Sequence, residues 1–232
     1  MVDHANPLPI LAGRVSPYRP VARDTVQEQV YRQLKEVILD GEIEPGATVT
    51  IQGLAEAFGV SAMPVREALH RLSESGALTI VAGRSAGIPA LSVERLRDLR
   101  RVRVEVEGLA AAWAAANVTP ELLARLDALI LRMESFTEAV DRKPFVPANR
   151  EFHFAIYRAA GSDSLLAVIE PLWLQIGPYL ALLRGSGNWR TANRQHRLIR
   201  DALARGDGAA ARIALQDDIE EAAAILAGLI ER

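Results

Sequence analysis

The chain has 232 residues, 50% hydrophobic but only 5% aromatic, with no cysteine and a formal net charge of −2. That length holds one large or two modest domains, each with its own core, and an aromatic-poor mix rich in Ala and Leu suits helices packed on helices. The lack of cysteine excludes disulfide and thiolate chemistry and agrees with a cytoplasmic location. Residues 1–20 carry no apolar core of the signal-peptide kind, and no uninterrupted apolar run reaches about 18 residues, so no membrane span is expected.

Residues 1–22 hold Pro7, Pro9, Pro17 and Pro20 among polar residues and predict a mobile arm. Its neighbourhood offers Arg14, Arg19 and Arg23 to a DNA backbone; a disordered leader is the plainer alternative. Thr25-Val26-Gln27-Glu28 is a capping box that opens a first helix, with Val30, Leu34, Val37 and Ile38 as its apolar stripe and Gly41 as its stop. After a turn at 42–46 and an extended piece, Thr50 caps a second helix whose Leu54, Ala55 and Phe58 face inward. Gly59 supplies a tight turn, Ser61 is placed to cap a third helix, and Pro64 falls in the first turn, where its missing N–H costs nothing. Val65, Leu69 and Leu72 share one face.

This leaves Gln52 on the second helix and Ser61, Met63, Arg66 and His70 on the third turned outward. The pair reads as a helix–turn–helix whose second helix can enter the DNA major groove. Residues 78–81 then predict a strand, 82–87 a hairpin turn and 88–91 its partner, a two-stranded wing. Arg84 at its tip is a candidate DNA contact, or else a solvated loop arginine. Charge alone points to no nucleic acid: up to Leu91, eight Lys and Arg stand against ten Asp and Glu.

From Ser92 on, the pattern is helical throughout, with six helices expected. They run from Val93 to Asn117, from Thr119 to Val140, up to Ala160 after a Pro-broken loop at 141–147, from Ser164 to Leu183 with bends at Pro171 and Gly177-Pro178, from Trp189 to Arg205, and from Asp207 to the end. The basic run Arg95–Arg103 is expected to be mostly a solvated face. Three polar residues in this half are conspicuous: His153 between Phe152 and Phe154, with Asn149 one turn earlier; His196; and Asp218 between apolar Leu215 and Ile219. Imidazole and carboxylate from several helices of a bundle suit a divalent transition metal, the alternative being satisfied core or surface side chains.

The run from Val60 to Leu72, with Pro64-Val65-Arg66-Glu67-Ala68-Leu69 at its centre, resembles the GntR family of bacterial transcription regulators, whose usual pattern is roughly V-S-R-x-P-V-R-E-A-L-x-R-L. Ala62 stands where that family carries its first arginine. The resemblance implies that Arg66 and the Ser61–Met63 end face DNA. The half after Ser92 resembles the all-helical ligand-binding FCD domain of the FadR subfamily, in its six-helix VanR-type branch. That likeness implies a metal site in which an Asp, a His four residues on, a His on the next-to-last helix and a His on the last hold an ion beneath a carboxylate effector. Here the matching positions are Asn149, His153, His196 and Asp218, so Asn replaces the usual Asp and Asp the final His. Arg103 and Glu107 also match. Arg103 is implied to grip the effector carboxylate, alongside Asn149, His153 and His196, or else to pair with Glu107 one turn away.

Together these give a mainly α fold: an arm at 1–22, a winged helix–turn–helix at 23–91 and an antiparallel bundle of about six helices at 92–232. The expected function is a DNA-binding transcription regulator, a repressor by family habit, with double-stranded DNA bearing a palindromic operator, a small carboxylate effector and a second copy of the chain as partners, and zinc, nickel or manganese as the ion. The alternatives are an enzyme using a two-His-one-carboxylate site, and an interaction module whose winged helix binds protein.

Overall fold

The structure, a computed structural model, describes residues 25–136, 144–185 and 189–231. The expected arm at 1–22, the extension of the second bundle helix to Val140, residues 141–143 of the expected loop and residues 186–188 lie outside these residues.

Three helices come first: α1 (Val26–Leu39), α2 (Ile51–Phe58) and α3 (Ala62–Glu74). Thr25 Oγ1 accepts the Glu28 N–H at 3.2 Å and Thr50 Oγ1 the Gly53 N–H at 3.0 Å, so each cap satisfies a donor that the helix leaves free. Gly59 ends α2 in the left-handed region, at φ +64°, and turns the chain into α3. Ser61 occupies the N-cap position of α3, but its side chain makes no capping bond, contrary to expectation; the hydroxyl stays exposed. Val30, Leu34 and Ile38 of α1 meet Ala55, Val65, Leu69 and Leu72 in one buried core.

The wing differs from the hairpin predicted. It has three short antiparallel strands, β1 (Thr48–Thr50), β2 (Thr79–Val81) and β3 (Ser85–Gly87), in the order β1-β3-β2, with Val49 and Ile80 both opposite Ala86. The return strand begins at Ser85 rather than Ile88 because Ala82 and Gly83 both take left-handed backbone, at φ 49° and 65°, and reverse the chain early. Pro89, which has no N–H for a ladder, lies past the sheet.

Among the described residues six α-helices follow: α4 (Val93–Ala114), α5 (Pro120–Ser135), α6 (Phe145–Ala159), α7 (Asp163–Leu180), α8 (Trp189–Ala204) and α9 (Gly208–Ile230). Ser92, Thr119, Ser162 and Asp207 cap α4, α5, α7 and α9. α6 starts ahead of Pro147, which sits in its first turn, where no N–H is required. α4 packs along α9 and also touches α6 and α7, so it is the central rod of the bundle. The Arg95–Arg103 run is mostly a solvated face, as expected, with Arg95, Arg97 and Arg101 exposed, but it is not free of partners. Arg95 donates to Gln175 of α7 at 2.6 Å, Arg100 pairs with Glu220 of α9, and Arg103 is buried.

The segment Asp163–Leu183 is long and apolar enough to cross a membrane by composition. Here its Ile169, Trp173, Leu174, Ile176 and Tyr179 are buried inside the fold. Its outer side carries the N-terminal half. Lys35 pairs with Glu170 at 2.9 Å, Tyr179 donates to the Pro89 carbonyl at 2.7 Å, and Gly177 lies so close to Leu39 that a Cβ there would meet its carbonyl oxygen at 3.2 Å. From α6, Arg150 reaches Glu36 at 2.6 Å and Asp40 at 3.0 Å.

Candidate metal centre and nucleic-acid interface

His153 on α6, His196 on α8 and Asp218 on α9 meet inside the bundle. Nε2 of His153 lies 3.3 Å from Asp218 Oδ2, Nε2 of His196 lies 3.8 Å from Oδ1, and one candidate ligand atom from each of the three falls within 4.8 Å of the others. All three are buried.

Their neighbours set which nitrogen faces the centre. Glu107 is a fully buried carboxylate that accepts from Arg103 Nε at 2.6 Å and Nη2 at 3.2 Å, from Trp173 Nε1 at 3.0 Å and from the Tyr157 hydroxyl. Tyr157 spends its one proton there, so its oxygen is left to accept from Nδ1–H of His153, 3.1 Å away. Asn193 Oδ1 does the same for Nδ1 of His196 at 3.2 Å. Both Nε2 atoms then face the Asp218 carboxylate. The Nε2 of His196 has no hydrogen-bond partner among the described residues, although it is buried. Burial pushes the pKa of His196 down to about 4, so it is neutral near pH 7. Two imidazole nitrogens and a carboxylate directed at one point are a donor set that fits a divalent transition metal.

A cavity of about 50 Å³ lies beside this cluster, lined by Arg103, Asn149, His153, Trp173 and Asp218 on one side and by Phe145, Val146, Leu180 and Ile219 on another. Asn149 thus shares the cavity with His153. His196 does not reach the cavity wall; it is enclosed behind it. Arg103 is on the cavity wall and is also paired with Glu107 one turn away. Burial disfavours its charge, but the Glu107 carboxylate outweighs this and holds its pKa above the ordinary value, with Nε and Nη2 both committed to that pairing.

On the N-terminal half, the outward residues of α3 and the wing form one surface. Arg66 Nη1 donates to the Gly83 carbonyl at the wing tip, at 3.0 Å, and ties wing to helix. Met63 and Ser61 are exposed at the leading end of α3, and His70 stands 3.4 Å from Glu74. Gln52 on α2 donates to Glu56 at 3.1 Å, and Arg84 is exposed on the wing loop.

The family model for bacterial regulatory proteins of the gntR family matches residues 26–88, and that for the FCD domain matches residues 98–221, more than half of the chain. The chain belongs to the GntR family. Among its relatives, the HTH-type transcriptional regulator McbR of Escherichia coli is 36% identical over 155 residues, covering 67% of this chain and 70% of that protein. A probable D-xylose utilization operon transcriptional repressor of Paenarthrobacter nicotinovorans is 31% identical over 198 residues, covering 84% and 86%. The solved structure of E. coli McbR/YncC superposes with a TM-score of 0.82 at 31% identity, covering 89% of this chain and 99% of that one. This GntR-family chain is therefore a transcriptional regulator of the FCD type. Sequence reasoning passed over Tyr157, Asn193 and Trp173. Tyr157 lies one turn after His153 and Asn193 three residues before His196, spacings that put partner and ligand on one helical face. Trp173 reaches Glu107 from another helix and left no local signal.

Proposed function

We propose that this regulator binds a palindromic operator as a dimer through residues 23–91 and that a small carboxylic acid in the cavity of residues 92–232 controls its grip on DNA. The observation that carries the effector half is the buried Nε2 of His196, without a hydrogen-bond partner among the described residues and facing the same point as His153 and Asp218 at the side of a cavity. His153, His196 and Asp218 would hold zinc, nickel or manganese, with Asn149 beside them. The ion, when bound, supplies positive charge and an open coordination position suited to a carboxylate. Arg103 and Glu107 neutralise each other, so without an ion Asp218 leaves this wall net negative and unfavourable for an acid. Asn149 contributes a neutral amide, and Phe145, Val146, Leu180 and Ile219 favour an acid with an apolar body.

Dimerisation is supported by Val102 and Trp113 of α4 and Val168 of α7, large apolar side chains left 43%, 45% and 50% exposed. Repression is the role named for the Paenarthrobacter relative, a probable transcriptional repressor, and is proposed here by likeness. The relatives named above are transcription regulators, which favours the regulator over the enzyme reading.

The test is elemental analysis of protein purified without chelator, beside His153→Ala. About one transition-metal ion per chain in the parent and its loss in the variant are expected, with effector-free DNA binding retained. A parent protein that carries no metal and takes up none from zinc, nickel or manganese solutions refutes the metal centre.

A further inference from the structure

The leading end of α3 is apolar where a DNA-facing helix could have carried charge. Met63 is 60% exposed, the most exposed of the large apolar side chains described in the N-terminal half. A single exposed methionine is unremarkable on a general surface, but this one occupies the first turn of the second helix of the helix–turn–helix. Ala62 beside it is partly buried against the core, and Ser61 has a hydroxyl that caps nothing. The charged groups lie farther along. Arg66 is drawn to the Gly83 carbonyl of the wing, Glu67 is acidic, and His70 leans towards Glu74.

A thioether chain has no proton to give a base edge. In the major groove its complement is the 5-methyl group of thymine, the apolar feature that distinguishes that base there. Ser61 can bond an adjacent base edge or phosphate and so fix the register. We propose that Met63 is a specificity-determining residue that packs against a thymine methyl in each half-site of the operator. This rests on the DNA-binding reading above and adds which base the first turn of α3 prefers.

The test uses the full-length protein. A preferred duplex is first selected from a randomised pool, and each thymine in it is then replaced singly by uracil, which removes the methyl and leaves pairing and hydrogen-bonding edges unchanged. At one position per half-site the affinity should fall about fourfold, the worth of one buried methyl group. Met63→Ala should bind the parent duplex more weakly and lose its sensitivity to uracil at that position, whereas Met63→Leu should keep it. The proposal is overturned if no thymine is sensitive in the parent protein, or if the sensitivity persists in Met63→Ala. Failure of the pool to yield any bound duplex would instead overturn the DNA-binding reading, and the proposal with it.

Discussion

Replacing Glu107 by glutamine tests the internal wiring of the bundle with almost no change of volume. Glu107 is 0% exposed and Arg103 only 6%, so neither can turn to water. The carboxylate accepts four hydrogen bonds, two of them from the guanidinium. A glutamine keeps one acceptor oxygen and puts an NH₂ in place of the other. If that NH₂ takes the Oε1 side it opposes Arg103 Nε; if it takes the Oε2 side it opposes Arg103 Nη2 and Trp173 Nε1. Either way a buried guanidinium loses its counter-charge, a change that costs about 3–5 kcal/mol when one partner of a buried pair is removed. Urea unfolding at pH 7, with chelator present to keep metal out, reads this directly. The exposed pair Arg212–Glu105 is the internal control, since Arg212→Gln should cost under about 1 kcal/mol. A Glu107→Gln protein destabilised no more than that control would refute the account of Glu107 as the charge holding Arg103.

Tyr157→Phe should weaken zinc binding by about 10- to 100-fold, because Nδ1 of His153 loses the acceptor that fixes its tautomer; competition with a chromogenic chelator measures it, and an unchanged affinity removes the tautomer argument. Metal-free protein should lose stability on acidification. His196 is held at about 4 when folded against an ordinary 6.5, so the unfolded chain takes up the proton first. That contribution is complete above about pH 6.5 and fades towards pH 4, by about 3 kcal/mol, and should be missing in His196→Gln; equal pH profiles of the two proteins in urea titrations would contradict it. Arg66→Ala should weaken operator binding by about 1–3 kcal/mol through loss of a base or phosphate contact and of the wing clasp at Gly83, read by fluorescence anisotropy. Undiminished affinity in the folded variant would remove α3 from the DNA interface.

What the sequence made legible was local. The caps at Thr25, Thr50, Ser92, Thr119 and Asp207 each depend on a side chain and an N–H three residues away, and each helix starts there. Ser61 carried the same signal and makes no such bond. The wing was misplaced because its reversal depends on Ala82 entering the left-handed region, which no side chain announces, and because β1 is three residues long. The spacing of Arg103 and Glu107 was plain, but their burial comes from α4 being enclosed by α6, α7 and α9. His153, His196 and Asp218 stood out as polar residues in apolar settings; that they meet depends on how α6, α8 and α9 pack, which periodicity cannot give.

α7 is at once a wall of the cavity, through Trp173 and Leu180, and the seat of the N-terminal half, through Glu170, Gly177 and Tyr179. No loop stands between these roles to absorb a displacement. Under the proposed function, whatever free energy a bound acid takes from the grip on DNA, bound DNA takes equally from the grip on the acid. A molecule seated at its promoter would then answer to a different concentration of acid from one free in solution. The level at which the switch turns would depend on how many operator sites are filled, as well as on the cavity.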